Sequence, residues 1–460
     1  MKPEASTPLA ASPAWLDRIA VRDSSRDWTW RELHSAACTL ADGIEGTATI
    51  GNFCDSRAGF FITMLAALRL GTRMVLPPSS GQAEIATMIG ELESPLAIAD
   101  SDAALRGLPA TTRVQLLRLE PRGTPRDDAA LAWGGALDPQ SVRLHTSGST
   151  GRPQAQDRTI EQLVLGSWSL TRGWLDYMDV GVDALAAVVC SVPSQHMFGL
   201  EMAGMLPLVH GVPVLERQPL LPADVHGAFE ELDGGGIWIA TPLHLRAMTR
   251  AGARLPNCRL VISSTMPLAP GLAAEVEALC GTPVVEIYGS TETGALAVRR
   301  TAIESSWRAL AGVRLVPGEE DTTAWGGHFT SPRSLADRIE LEADGSFRLV
   351  GRQADMIKVA GRRTSLSALN LLLAEMPGLG DAVFFQPTDA GPAARLVLIH
   401  AGAPVERKVI EAWLRQRMDA VFLPRTTIRV ARLPRTATGK LPLADLERIY
   451  GDWLASRREQ

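Results

Sequence analysis

Apolar and polar positions follow two different rhythms along this chain. Residues 30–46 (WRELHSAACTLADGIEG) place apolar groups at helical spacing, NFCDSRAGFFITMLAALRLG reads as a strand end running into a buried helix, and RMVLPP reads as a short buried strand. Short apolar runs then recur: DALAAVVCSVP, VPVLE, GIWIATP, RLVISS and PVVEIYG. Several are separated by helical patterns such as LHLRAMTRAGARL and APGLAAEVEALCG. Strands trading places with helices predict an α/β protein with mixed, largely parallel sheets. Residues 101–140, with several Gly, Pro, Asp and Arg, are expected to form a surface connection.

The rhythm changes near residue 350. From Ser365 onward a helix (LSALNLLLAEM), two strands (DAVFFQP, ARLVLIHAG), a helix (RKVIEAWLRQRM) and a strand (TIRVARLP) predict a compact α+β unit. At about a hundred residues it has an acceptable domain size. The polar segment GRQADMIKVAGRR, flanked by Gly351 and Gly361, is the expected joint, dividing the chain into residues 1–351 and a small, mobile C-terminal domain of residues 352–460.

Composition narrows the function. The 460 residues carry 46 Lys plus Arg against 51 Asp plus Glu, a formal charge of −5, which argues against a protein that holds nucleic acid by bulk positive charge. The five cysteines (Cys38, Cys54, Cys190, Cys258 and Cys280) form no CxxC pair and accompany no histidine cluster, so neither a disulfide framework nor a zinc site is expected. The N-terminus has no apolar block of signal-peptide type, and the longest charge-free stretches are too short or too broken to span a bilayer. A cytoplasmic setting with no membrane span is the expectation.

Four segments carry candidate chemistry. In LHTSGSTGRPQ, Thr146, Ser147, Gly148, Ser149, Thr150 and Gly151 follow a strand-like lead. Small residues let backbone wrap an anion while hydroxyls and amides donate to phosphate oxygens; taken alone the run is better read as a flexible linker, and it is no Walker loop because GKS or GKT is absent. In VVEIYGSTETG, Tyr288, Gly289, Ser290, Thr291 and Glu292 set an aromatic, a tight turn, hydroxyls and a carboxylate directly after a buried strand. Glu292 is the candidate Mg²⁺ ligand, since that ion takes one or two protein oxygens together with phosphate oxygens. GRQADMIKVAGRR combines Arg352, Asp355, Lys358 and Arg363 at the joint, where a surface salt-bridge hairpin is an equal reading. LPRTATGKLPLADL puts Lys440 on a Gly-hinged loop, able to approach a reacting carboxylate or phosphate.

In this order and at these separations the four blocks resemble the adenylate-forming superfamily of acyl-CoA synthetases, acyl-carrier-protein synthetases, aryl-acid ligases and nonribosomal adenylation domains. The resemblance covers nearly the whole chain, including WTWRELHSAACTLADGI near its start, with YGSTETG and PRTATGK its most specific motifs. It implies that residues 146–151 hold the β and γ phosphates of ATP, Tyr288 stacks near adenine, Thr291 contacts the α phosphate and Glu292 binds Mg²⁺. It further implies that Asp337 binds the ribose with Arg352 nearby, and that Lys440 bridges carboxylate and ATP. The small domain would then rotate about the joint (Ala354, Asp355, Lys358, Gly361, Arg363) for the thiol step. His196, in VPSQHMFGLEMAGMLPL, stands where similar enzymes carry a residue beside the acyl group, and Trp238, His244 and Met266 are further candidates there.

The implied reaction is ATP-dependent activation of a small carboxylic acid to acyl-AMP, then transfer to a phosphopantetheine thiol of an acyl carrier protein or CoA. Departures from the family pattern are Gln154 for the lysine closing the phosphate loop, Ala354 at the joint, ISSTMPL for a Gly-Ala-rich turn, and a replaced Gly before Asp337 in LADRIE. The short architecture resembles ligases that prime aryl-polyene or xanthomonadin-type pigment synthesis with hydroxybenzoate, and favours a carrier-protein acceptor. A medium- or long-chain fatty acyl-CoA ligase and a non-catalytic nucleotide-binding protein are the competing readings.

Overall fold

The computed structural model describes residues 13–46, 49–77, 82–102, 108–109, 111–119, 142–146, 154–318, 321–352, 356–359, 362–387, 395–436, 439 and 441–458. Among them the α/β pattern builds two large sheets. In the nine-stranded sheet, Ile19–Arg22, Val214–Leu215, Ala187–Cys190, Gly236–Ala240, Cys258–Ser263 and Val284–Ser290 run parallel in that order. Antiparallel Trp28–Thr29 closes one edge; Gly294–Arg299 and Arg308–Ala309 close the other. The central strands are buried throughout, so each appears in the sequence as an unbroken apolar run.

The six-stranded sheet has the order Arg113–Leu116, Pro95–Ala99, Thr49–Asn52, Arg73–Val75, Val142–Thr146, Gln154–Arg158, all parallel except the last pair. One apolar core joins residues of both sheets with the helix Arg57–Leu70. Ser56 caps that helix by accepting the Gly59 N–H, and Gly71 ends it at φ +64°, a conformation glycine adopts at no steric cost. Because nearly every residue of the helix is buried, its sequence is apolar all round instead of striped. The helix Trp30–Asp42 packs against it, with Trp30 edge-on to Phe61 at 5.0 Å between ring centres.

Two strands depart from the predicted pattern. Arg113–Leu116 lies inside the expected surface connection, and Gln154–Arg158 follows directly on the phosphate-loop motif. Both are sheet edges: QAQDR is polar, and in RVQL the two apolar residues, Val114 and Leu116, are exposed, so neither carries the continuous apolar run of a buried strand.

The C-terminal elements match the predicted order: helix Leu366–Ala374, strand Asp381–Phe385 antiparallel to Val397–Ala401, helix Arg407–Arg415, and Thr426–Val430 parallel to Val397–Ala401. A further helix, Leu443–Arg458, ends the described chain. Two apolar clusters gather residues from Ile357 onward, while the remaining clusters stop at Phe347 and Leu349; none of them draws on both sides of the expected joint. Among the described residues no helix is long and apolar enough to cross a membrane, and none of the five cysteines is in a disulfide.

Candidate active site

The site assembles at the carboxyl end of the parallel strand Val284–Ser290, where open α/β sheets bind ligands. There the chain turns sharply. The Ser290 N–H donates to Thr293 Oγ1 (3.1 Å), the Thr293 N–H to the Ser290 carbonyl (3.3 Å), and the chain returns antiparallel through Gly294 at φ +69°. Tyr288 is buried one residue before Gly289, and Glu292 points its carboxylate into solvent at the tip. An exposed carboxylate flanked by the Thr291 and Ser290 hydroxyls is a donor set that fits Mg²⁺, which binds few protein oxygens and completes its shell with phosphate and water.

Asp337 joins this turn. The Tyr288 hydroxyl donates to Asp337 Oδ2 at 2.8 Å. Asp337 begins the strand Asp337–Leu341 and lies directly across the ladder from Arg352, so the two ribose candidates are cross-strand neighbours beside the adenine candidate. Residues 147–151 lie outside the described residues, but the hairpin that carries them is described: Thr146 pairs opposite Gln154 at its mouth. Of the joint, residues 354, 355 and 361 are likewise outside, and Lys358 and Arg363 face each other across the hairpin Met356–Val359/Arg362–Ser365.

Lys440 itself lies outside the described residues. The preceding loop is held at both ends: Arg435 forks onto Asp381 with two 2.7 Å bonds, donates to the Gly439 carbonyl (2.7 Å) and reaches Met266 Sδ (3.7 Å). Gly439 has φ +83°, and a Cβ there would meet Met266 Sδ at 2.8 Å, so the C-terminal loop rests closely on the ISSTMPL segment. In that segment Thr265 adopts φ +81°, a left-handed conformation that costs a β-branched residue about 1–2 kcal/mol. The segment ISSTMPL holds no glycine, yet its backbone takes a geometry that glycine would adopt without strain.

The acyl candidates separate. His196 caps the short helix Met197–Gly199, its Nδ1 accepting the Phe198 N–H at 3.3 Å, and Met197 reaches the turn, 3.3 Å from where a Cβ on Gly294 would stand. Met266 sits under the C-terminal loop. Trp238 requires correction: it is 1% exposed in the second apolar cluster and its indole N–H is satisfied by Ser191 Oγ at 3.0 Å, so it is a core residue. His244 caps the helix Pro242–Ala251 beside Thr241, burial pushes its pKa down to about 4, and it lines a cleft of about 410 Å³ with Arg246 and with Thr436 of the C-terminal loop.

Three residues at the turn escaped the sequence reading: Arg158, Glu201 and His328. Arg158 Nη2 donates to the Thr291 carbonyl (2.8 Å), His328 Nε2 to the Thr293 carbonyl (2.7 Å), and Glu201 Oε1 accepts the Ala295 N–H (2.9 Å). All three are buried. Burial pushes Glu201 up to about 7, opposed by that hydrogen bond and by Arg158, and pushes Arg158 down to about 10. A lone carboxylate inside the apolar run MFGLEMAGML was the available signal for Glu201. Arg158 and His328 sit in unremarkable polar segments and gave none.

A family model described as AMP-binding enzyme matches residues 10–320, well over half of the chain. The chain belongs to the AMP-binding enzyme family. It is therefore an adenylate-forming enzyme, a class that works with ATP and Mg²⁺. Among relatives of this family, 2-succinylbenzoate–CoA ligase of Geobacillus kaustophilus is 24% identical over 96% of this chain and 98% of its own. A 4-coumarate–CoA ligase of Cereibacter sphaeroides is 25% identical over 64% of this chain and 69% of its own. In fold, the chain superposes on O-succinylbenzoate coenzyme A synthetase from Bacillus subtilis in complex with AMP with a TM-score of 0.78 at 18% identity, over 95% and 98% of the two chains. An anthranilate CoA ligase in complex with anthranoyl-AMP gives 0.77 at 15% identity, over 96% of each.

Proposed function

We propose that this AMP-binding enzyme activates an aromatic carboxylic acid of hydroxybenzoate type and passes it to the phosphopantetheine thiol of an acyl carrier protein. The observation that carries the activation step is the convergence of Tyr288, Asp337 and the Thr291–Glu292 turn at one strand end, with Tyr288 and Asp337 in direct hydrogen bond. In the first step a carboxylate oxygen attacks the α phosphorus of ATP, the bond to the bridging oxygen breaks, and acyl-AMP and pyrophosphate result. Tyr288 and Asp337 hold the nucleoside, the residue 146–151 loop the β and γ phosphates, and Thr291 the α phosphate. Glu292 would hold Mg²⁺, which when bound would supply neutralisation of the phosphate charge. Lys440, brought in by the loop that Arg435 anchors, spans the carboxylate and the nucleotide; positioning and charge neutralisation supply most of the barrier reduction.

In the second step the thiolate attacks the mixed anhydride and AMP leaves. Residues 352–460 act as the mobile domain for this exchange, turning about residues 352–363 so that Lys440 withdraws and Lys358 and Arg363 approach. The aromatic preference is supported by the relatives named for 2-succinylbenzoate and 4-coumarate. The carrier acceptor, and the likeness to ligases of aryl-polyene and xanthomonadin-type pathways, rest on the compact chain and on Gln154 in place of the loop lysine. CoA is the second reading, favoured by the CoA-ligase names of those same relatives.

The test is product analysis by mass spectrometry after incubating the protein with Mg·ATP and hydroxybenzoates, cinnamates or fatty acids, offering CoA or a phosphopantetheinylated carrier. Aryl thioester on the carrier in preference to CoA is the expected product. Thioester formed only from fatty acids overturns the substrate reading, and thioester formed only on CoA overturns the acceptor.

A further inference from the structure

The Ser290–Ala295 turn is gripped from behind by ionisable side chains drawn from three distant segments. Arg158 comes from the strand leaving the phosphate-loop hairpin, Glu201 from the π-helical stretch Leu200–Met205 following His196, and His328 from the bend after strand Thr322–Gly326. Their contacts fall at alternate residues: the Thr291 carbonyl, the Thr293 carbonyl and the Ala295 N–H. These bracket Glu292 on both sides. The Glu292 side chain itself is exposed, so the three buried contacts fix the backbone from which the carboxylate projects.

Each contact is costly to keep unless it does something. Arg158 is 4% exposed and leaves its Nε without a hydrogen-bond partner among the described residues, and His328 leaves Nδ1 likewise. A buried guanidinium with an unsatisfied nitrogen is an expensive way to satisfy one carbonyl. Its charge is opposed by the carboxylates of Glu201 and Glu292, with Arg333 and His328 also within its field. Glu201 and His328 close the pocket around Gly294, where a Cβ would stand 3.1 Å from Glu201 Oε1 and 3.6 Å from His328 Nε2.

We propose that Arg158, Glu201 and His328 are positioning residues that preset the Thr291–Glu292 turn for Mg·ATP, with Arg158 tying that turn to the strand that carries the phosphate loop. This rests on the roles given above to Thr291 and Glu292. The consequence is selective: nucleotide and metal affinity depend on the clamp, while affinity for the carboxylic acid does not. Arg158 also supplies a fixed cation close to the nucleotide motif on the very strand where Gln154 replaces the family's lysine.

The test uses the full chain with Arg158→Met and His328→Leu, each removing one donor, beside Arg158→Lys and His328→Gln, each keeping an N–H. Two readouts are taken: the Mg²⁺ concentration at which ATP raises the melting temperature half-maximally, and the KM values for Mg·ATP and acid in pyrophosphate exchange. Arg158→Met and His328→Leu are expected to raise the Mg²⁺ midpoint and the Mg·ATP KM at least tenfold, about 1.4 kcal/mol, with the acid KM within about twofold and the conservative variants largely restored. Equal shifts in both KM values, or a lower melting temperature with unchanged Mg·ATP affinity, would overturn the proposal. Should Arg158→Met fail to fold, the His328 pair decides by the same criteria. If the wild type exchanges pyrophosphate with no acid, the activation reading fails while the ATP-dependent melting still tests the clamp.

Discussion

Replacing Glu286 tests the framework beneath the site. This carboxylate sits on the strand Val284–Ser290, two residues before Tyr288, and is 3% exposed. It accepts four hydrogen bonds: from the Leu268 N–H (2.8 Å), Arg299 Nε (2.9 Å) and Nη2 (2.7 Å), and Thr301 Oγ1 (2.7 Å). Arg299 is itself held over the Trp307 ring, 4.2 Å from its centre. Glu286→Ala leaves a largely buried guanidinium and a backbone N–H without their acceptor. Breaking a buried pair on one side costs about 3–5 kcal/mol, and the extra orphaned donors place this site at the upper end. Removing both charges in Glu286→Met/Arg299→Met leaves no orphaned ion, so the double variant should lose less than Glu286→Ala alone. Urea unfolding followed by tryptophan fluorescence reads both. A loss under about 1 kcal/mol for Glu286→Ala, or a double variant costing the sum of the singles, would refute the reasoning.

Three further outcomes follow from the same geometry. Tyr288→Phe removes the bond to Asp337 and should raise the KM for ATP about tenfold, from roughly 1.5 kcal/mol for a hydrogen bond to a charged acceptor, with the melting temperature little changed; an unchanged KM would separate Tyr288 from nucleotide binding. Gly294→Ala forces a side chain onto φ +69° and against Glu201 and Met197, and should cost about 1–2 kcal/mol of stability and slow pyrophosphate exchange; an unaltered melting curve would count against that crowding. Glu201 has its ordinary carboxyl value of 4.5 raised to about 7, so between these pH values the native state holds a proton the unfolded chain has released. Stability from this group is full below pH 4.5 and declines by about 3 kcal/mol as pH rises to 7, and Glu201→Gln should flatten the pH dependence of the urea midpoint across that window; an equally steep profile in the variant would contradict it.

Much of this architecture was legible because parallel strands buried on both faces leave continuous apolar runs, and the C-terminal order was readable from its own short apolar strands and helically spaced apolar positions. The edge strands Arg113–Leu116 and Gln154–Arg158 were not, since an exposed edge has no continuous apolar run. Among the candidate site residues, Tyr288 and Asp337 meet in the structure although forty-nine positions separate them. Trp238 was misplaced because a single aromatic in a strand does not reveal which face it packs on. Of the clamp, only Glu201 had a sequence signal, as a lone carboxylate in an apolar run; Arg158 and His328 act on backbone atoms of the turn, and side chain to main chain contacts across a fold leave no motif.

The most direct test of adenylate formation is ATP–pyrophosphate exchange with purified protein and Mg²⁺ over a panel of hydroxybenzoates, cinnamates and fatty acids, run for the wild type beside Lys440→Ala. Exchange supported by an aromatic acid in the wild type and abolished by Lys440→Ala is the predicted result. Exchange that persists unchanged in Lys440→Ala would contradict the account.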